Sequence, residues 1–237
     1  MMVFSMLSSV LAFLHSPSQF ALFNSWHIAG GLCLIIAAVM LFSIPKTPLS
    51  DKVIRYFLVS CALAAVSLSC FLYRVLPLQV CHVSAWLVVP LALIFKRKTF
   101  QYILLYISGW GAILALSVPD LLTHCSMLRY LNFLVMHISL TLAALYCFVY
   151  DRPTLNLASI LCVVFAFNIY IAPVFLIDRW LHADYVFLVT PPAAAPGLWS
   201  WPWYIIQAQL LFIGFSLFVC ALSNAINLLP RLKTRYQ

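Results

Sequence analysis

A thiol and two imidazoles are the side chains of this sequence whose types and positions could do chemistry. Cys81 and His82 lie in the stretch LPLQVCHVSAW, and His137 ends the run FLVMH. A thiol with a free pKa of about 8.5 is a weak nucleophile until a neighbouring imidazole takes its proton. Because His82 directly follows Cys81, a helix turns its side chain about 100° away from the thiol. The sequence therefore favours Cys81 as a nucleophile and His137 as its base, with acyl transfer through a thioester on Cys81.

The composition indicates that the solvent of this chain is lipid. Of its 237 residues, 65% are hydrophobic and 8% are charged, whereas soluble chains are about half apolar and a quarter charged. The sequence has no glutamate, and its five aspartates lie outside the best apolar windows. This excludes paired-carboxylate chemistry within the membrane and Glu-dependent metalloprotease motifs. We read the net charge of +8 as topology signals beside the spans rather than as a nucleic-acid surface.

Apolar runs of about 20 residues predict an all-α polytopic membrane protein with seven transmembrane helices. The predicted spans are 27–44, 54–73, 78–95, 99–118, 127–150, 155–177 and 201–226. An outer segment, 1–26, precedes the transmembrane domain and contains a predicted interfacial helix over 1–14. The transmembrane domain occupies 27–230, and a basic cytoplasmic tail follows over 231–237.

The distribution of basic residues predicts the orientation, because loops rich in Lys and Arg stay in the cytoplasm. Ten basic residues fall on one side: Lys46, Lys52, Arg55, Lys96, Arg97, Lys98, Arg152, Arg231, Lys233 and Arg235. Three fall on the other: Arg74, Arg129 and Arg179. We therefore expect the N-terminus outside and the C-terminus inside, in a cell inner (cytoplasmic) membrane. Four tryptophans form an expected belt at the outer interface: Trp26, Trp199, Trp201 and Trp203.

Polar side chains on four predicted spans fall in the outer half of the bilayer. At 1.5 Å per residue, Cys81 and His82 lie about 5 Å below the outer end, and His137 lies about 12–15 Å below it. Asn168 is at a depth similar to that of His137, and Gln207 is about 9 Å down. Because polar groups avoid lipid, we predict an outward-opening pocket. Its predicted lining is Gln79, His82, Asn168, Asp184, Tyr185, Trp203 and Gln207.

Each member of this pocket has a simpler interpretation that the sequence leaves open. Asn168 and Gln207 are typical of side chains that hydrogen-bond neighbouring helices. Cys81 could be a packing residue, or it could form a disulfide with Cys70 or Cys125 in an oxidising space. His137 could be a structural histidine. A metal site built from Cys81, His82, His124 and Cys125 is disfavoured, because the ligand spacing is irregular.

Four runs in order along the chain carry a family resemblance: LPLQVC at 76–81, FLVMH at 133–137, DYVFL…PP at 184–192 and WPWYI at 201–205. They resemble the YwaF family of bacterial integral membrane proteins, which is similar to a eukaryotic group of transmembrane phospholipid acyltransferases. The resemblance implies a catalytic Cys and His on separate helices, here Cys81 and His137. The chain departs from the family pattern at Gln79, where a His is common, and at Asp184, where an Asn is common.

Three functions therefore compete. The first is a lipid acyltransferase or lipid hydrolase, with membrane lipids as acyl donor or acceptor. The second is an uncoupled transporter or facilitator, since we expect no charged residue near the midplane to couple an ion. The third is a non-catalytic assembly partner. No phosphate-binding loop, dinucleotide fingerprint or nucleic-acid stripe is present in the sequence, and we expect neither a metal nor a cofactor.

Overall fold

The computed structural model of the protein describes residues 17–19, 25–74, 76–119, 124–190 and 199–233. The predicted interfacial helix over 1–14 lies outside these residues, as does the end of the predicted tail from 234 onward. The described part is built from seven helical elements: α1 Ser25–Ser43, α2 Pro48–Tyr73, α3 Val80–Leu93, α4 Lys98–Ser117, α5 Met127–Asp151, α6 Leu157–Leu181 and α7 Trp203–Lys233. Two three-residue strands, Pro17–Gln19 and His124–Ser126, pair antiparallel beside the start of α5.

The prediction of an all-α polytopic membrane protein is confirmed, with one correction to the spans. Six of the helices are long and apolar enough to cross a membrane. The third predicted span, 78–95, is instead the shorter helix α3, which at 1.5 Å per residue is about 21 Å long. It still runs antiparallel to α2, because the Leu93 carbonyl at its end accepts a hydrogen bond of 3.1 Å from Arg55 near the start of α2.

Local sequence explains where the helices begin. Thr47 caps α2 and Asn156 caps α6, in each case through a reciprocal pair of bonds with the serine three residues later. Such caps satisfy backbone N–H groups that a helix leaves unpaired in its first turn. The helix α2 begins earlier than the predicted span 54–73, because the charges of its first turns are paired within the bundle. At the other end of the chain, α7 continues through residues 231–233 of the predicted tail.

The helix α5 lies at the centre of the bundle, with α2, α3 and α4 packed around it. The closest approach is at Gly109 of α4, where an added Cβ would stand 2.7 Å from the Cβ of Ala144 on α5. Small residues allow membrane helices to approach this closely. The outer helices α1, α6 and α7 expose many leucine, isoleucine and phenylalanine side chains. These apolar surfaces are suited to contact with lipid.

We call the end of the bundle formed by the start of α2 and the ends of α3 and α5 the basic end, and the opposite end the distal end. A buried ion network joins the helices at the basic end. Arg55 is 5% exposed and donates all five of its N–H groups. Two go to Asp51 at 2.9 and 3.1 Å, two go to Asp151 at 2.9 and 2.6 Å, and one goes to the carbonyl of Leu93.

The carboxylates of this network have further donors. The hydroxyl of Tyr146 donates to Asp51 at 2.7 Å, and the side chain of Gln101 donates to Asp151 at 3.3 Å. The topology count treats Arg55 as a residue beside a span, whereas it is buried among helices. The count also missed this role, although the i, i+4 spacing of Asp51 and Arg55 on one helix indicates an ion pair.

Candidate functional site

Cys81 lies in the first turn of α3, just after a non-helical segment. Gln79 precedes that turn without capping it through its side chain, and its Oε1 accepts a hydrogen bond from the Cys81 thiol at 3.6 Å. The carbonyl of Leu78 accepts a hydrogen bond from the Tyr170 hydroxyl of α6. Backbone groups at bilayer depth need such partners because water is not available there. The segment before Cys81 is thus held by the neighbouring helix α6.

Two hydrogen bonds fix the register of α3 and α5 against α2. Arg55 bonds the carbonyl of Leu93 on α3, and the Asn132 side chain of α5 donates to Ser69 Oγ at 2.7 Å. Ser69 is as many residues from Arg55 along α2 as Gln79 is from Leu93 along α3, so both lie equally far from the basic end. Gln79 is therefore about level with Asn132.

This register places Cys81 and His137 at neighbouring depths. From the level shared by Gln79 and Asn132, Cys81 lies about 3 Å toward the basic end and His137 about 7–8 Å, at 1.5 Å per residue. The two differ in depth by about 4–5 Å on this count. The first turn of α3 also contacts α5, the helix that carries His137.

His137 is held in one orientation by its own helix. Its Nδ1 lies 2.8 Å from the Phe133 carbonyl, and its ring packs on the Phe133 ring with centroids 4.2 Å apart. Since a carbonyl can only accept, Nδ1 carries the proton, and the neutral ring presents Nε2 as its acceptor. The side chain is 7% exposed. Within the described residues Nε2 forms no hydrogen bond, and none joins His137 to Cys81.

His82 is a buried imidazole with an unsatisfied nitrogen. Its side chain is 5% exposed, and Nδ1 has no hydrogen-bond partner. The Leu76 carbonyl is close to the ring but does not complete a hydrogen bond with Nδ1. The first turn of α3, with Cys81 and His82, contacts α5, the helix of His137. We refer to these three side chains as the Cys–His cluster.

Two buried serines form a further polar pair, one helical turn from Cys81 toward the basic end. Ser84 and Ser108 are buried, and the Ser108 hydroxyl donates to that of Ser84 at 2.8 Å. Each serine belongs to a π-helical segment, Ser84–Val88 in α3 and Leu104–Ser108 in α4. Single π turns recur at functional sites. No signal in the sequence pairs these two serines, and the sequence analysis missed them.

Several predicted lining residues belong to other contacts. Trp203 is 58% exposed and faces outward. Gln207 accepts a hydrogen bond from the Trp199 backbone at 2.9 Å. Asn168 bonds the Val164 carbonyl of its own helix and accepts from Gln209 of α7, a partner that sequence reasoning missed. Of these three, Asn168 joins α6 to α7, and none has a hydrogen bond to the Cys–His cluster in the described part of the chain.

The loop after α6 also has a structural role. Asp184 accepts hydrogen bonds from the backbones of Val189 and Thr190 at 3.2 and 2.8 Å. The backbone of Tyr185 donates to Asp178 Oδ1 at 3.0 Å. No hydrogen bond of the described residues joins Asp184 or Tyr185 to the Cys–His cluster, whereas Gln79 is bonded to the Cys81 thiol. The wide pocket expected from the sequence stays a prediction.

Asp178 corrects the expectation that every aspartate lies outside the spans. It belongs to α6, is 1% exposed, and has a buried oxygen, Oδ2, without a hydrogen-bond partner. Its position in the last turns of the helix explains why the apolar window ended before it.

The thiols show no disulfide among the described side chains. Both Cys70 and Cys81 are free, which argues against a Cys70–Cys81 bridge. The side chain of Cys125 lies outside the described part of the chain. In the described residues, no group of three or more His, Cys, Asp or Glu could hold a metal ion.

Comparison with known proteins identifies a family. A sequence model of the TMEM164 family matches residues 5–220, which is most of the chain. No curated protein and no solved structure matches. The resemblance to the YwaF family and the bacterial inner membrane stay predictions.

Proposed function

Because this chain belongs to the TMEM164 family, a family of multi-pass membrane proteins, we propose that it is a lipid acyltransferase or lipid hydrolase with Cys81 as nucleophile and His137 as base. The donor is the acyl ester of a membrane lipid. The acceptor is a lipid hydroxyl in a transferase and water in a hydrolase. No metal or cofactor takes part in the proposed chemistry.

The fixed tautomer of His137 is the observation that carries this proposal. Its Nδ1–H bond to the Phe133 carbonyl leaves Nε2 without a proton, which is the form that a general base requires. A histidine acting as base is commonly oriented by a third group in this way. Here the third group is a backbone carbonyl of the same helix.

Rearrangement of one side chain could bring the pair together. The Cys81 thiol donates to Gln79 through a long bond of 3.6 Å, which a sulfur donor gives up at little cost. Leaving Gln79 allows the thiol to turn toward α5. Apo active sites often hold such bonds long, and they tighten when substrate binds. Gln79, where the resembling family commonly has His, then serves as the resting partner of the thiol.

The proposed reaction has two balanced steps. Nε2 of His137 takes the Cys81 proton, and the thiolate attacks the ester carbonyl. A C–S bond forms, the ester C–O bond breaks, and the imidazolium gives its proton to the leaving alcohol. In the second step the acceptor hydroxyl loses its proton to Nε2 and attacks the thioester, so that a C–O bond forms and the Cys81 thiolate leaves to be reprotonated.

The first prediction tests the thioester directly. We expect Cys81→Ala to abolish labelling of the protein by a thiol-directed acyl probe and to abolish release of fatty acyl groups from phospholipid vesicles. His137→Ala should lower both by about 100-fold or more, the usual contribution of a general base. Mass spectrometry of the acylated protein and lipid chromatography measure these two outcomes.

The matched control is Cys70→Ala, which removes another free thiol of the described chain and should keep full activity. Thermal unfolding in detergent checks that each variant is folded. Normal acyl turnover by a folded Cys81→Ala protein would refute the proposal.

An uncoupled transporter is the second candidate, and Asp178 is the observation in its favour. A buried carboxylate oxygen without a partner within an apolar span is a candidate contact for a polar solute. Uptake of a labelled solute by purified protein in liposomes, lost in Asp178→Asn and kept in Cys81→Ala, would favour transport over acyl transfer.

A further inference from the structure

A cavity of about 360 Å³ opens at the basic end, far from the Cys–His cluster. Small-molecule sites have volumes of about 300–1,000 Å³, so it is large enough for a small polar group. A second cavity of about 210 Å³ adjoins it and shares three lining residues: Asp51, Arg55 and Lys96. Neither has a role in the proposed acyl transfer.

Two lysines at the edge of the cavity supply positive charge outside the salt bridges of the described residues. Lys46 and Lys96 line the larger cavity, and both are exposed. The Lys46 ammonium lies 4.3 Å from the centroid of the Tyr150 ring, which also lines the cavity. The salt bridges of the described residues both belong to Arg55, so neither lysine is in one. Lys52 lines the smaller cavity beside them.

Both carboxylates of the cavity already accept hydrogen bonds from within the protein. Asp51 and Asp151 point their oxygens at Arg55, and the Tyr146 hydroxyl and Gln101 amide take further positions on them. A cation entering the cavity would have to compete with these bonds. The lining of the larger cavity holds three cations and two carboxylates, a formal charge of +1. The free side of the cavity is therefore positive.

The apolar residues around the opening place the cavity at the level of a membrane surface. Ile44, Leu49 and Phe95 are exposed on the chain segments that flank it. An exposed leucine or phenylalanine beside exposed lysines is suited to the boundary between acyl chains and headgroups. Basic pockets between transmembrane helices bind the phosphate of anionic lipids in this setting.

We propose that the cavity at the basic end binds a phosphate group through Lys46 and Lys96, and that the group belongs to the headgroup of an anionic lipid. The Arg55 network forms the rigid wall of this site. It does so without contributing donors, because all five guanidinium N–H groups are bonded within the protein. The phosphate oxygens accept from the two ammonium groups, and the acyl chains extend over the exposed apolar residues.

The second prediction tests this site with the full-length protein in a non-ionic detergent. Three probes are compared: short-chain phosphatidic acid, inorganic phosphate, and short-chain diacylglycerol without phosphate. We expect phosphatidic acid to raise the unfolding temperature, and diacylglycerol to leave it unchanged. In the double variant Lys46→Gln with Lys96→Gln, the affinity for phosphatidic acid should fall about 10- to 30-fold. This corresponds to a loss of about 1 kcal/mol of binding free energy for each lysine removed.

The matched control is Arg97→Gln with Lys98→Gln, which removes the same charge from the same end without touching the cavity lining. Its affinity should change by less than about threefold. Equal losses in both double variants, or no effect of any phosphate-bearing probe, would overturn the site. Inorganic phosphate binding as tightly as phosphatidic acid would identify free phosphate, not lipid, as the source. If the double variant does not fold, the same binding measurement is made on the single variants Lys46→Gln and Lys96→Gln.

Discussion

The basic end and the Cys–His cluster are two buried polar regions of the same bundle, and they differ in how completely their groups are bonded. At the basic end, Arg55 uses every donor, and both of its carboxylate partners have additional donors. In the cluster, His82 has a buried nitrogen without a partner, and the Cys81 thiol has only a long bond to Gln79.

The difference indicates that the two regions have different roles. A buried network that is fully satisfied fixes the arrangement of helices, whereas an unsatisfied buried group lowers the stability of the fold. Proteins keep such costly groups at functional sites. Of the described side chains, only His82 and Asp178 bury an oxygen or nitrogen without a partner, and both lie on the distal side of the Arg55 network.

Arg55→Met tests the structural side of the comparison and should have the largest effect on stability. The change leaves Asp151, whose side chain is 8% exposed, and the partly exposed Asp51 without their cation. Breaking a buried pair costs about 3–5 kcal/mol. We expect a large fall in the free energy of unfolding, measured by denaturant titration in mixed micelles. Arg97→Met, an exposed arginine of the same end, should change it by less than about 0.5 kcal/mol. Equal stability of the two variants would show that the network does not hold the helices together.

Gly109→Ala should have an intermediate effect, because it acts on the contact that joins both regions. The new methyl group would meet the Ala144 Cβ at 2.7 Å, and such overpacking costs about 1–3 kcal/mol. Because α5 carries both His137 and Tyr146, we expect acyl turnover to fall together with stability. Gly111→Ala is the control, since nothing lies within 4 Å of the added atom. Equal stability of Gly109→Ala and Gly111→Ala would show that α4 and α5 do not pack so closely at Gly109.

His82→Phe should have the smallest effect on stability, and its direction sharpens the comparison. Replacing an unsatisfied buried imidazole by a ring without polar atoms should leave the free energy of unfolding unchanged or raise it by about 1 kcal/mol. His137→Phe should lower it by about 1 kcal/mol, because the bond to the Phe133 carbonyl is lost. Thermal unfolding measures the stability of both variants. A strong destabilisation by His82→Phe would mean that Nδ1 has a partner in the native membrane.

The seven apolar segments could be predicted from the sequence because lipid requires continuous apolar runs, and that requirement is local. The Asp51–Arg55 pair could also have been found, since its members are one helical turn apart. Asp151 and Gln101 could not, because Asp151 reaches Arg55 from α5 and Gln101 bonds Asp151 from α4, and hydropathy carries no information on which helices are neighbours. For the same reason the sequence could not show that Tyr170 of α6 bonds the carbonyl of Leu78 just before α3.

The π-helical segment Ser84–Val88 has a consequence for how the orientation of Cys81 is encoded. A π turn contains one residue more than an α turn, so it behaves as a one-residue insertion into a helix. The end of α3 is fixed by the bond between Leu93 and Arg55. If the same residues instead formed a regular α-helix, Cys81 would turn by about 100° about the helix axis, with the basic end unmoved. The direction in which the thiol points thus depends on the π turn, and every side chain of the Cys–His cluster could stay in the sequence while the cluster itself was lost.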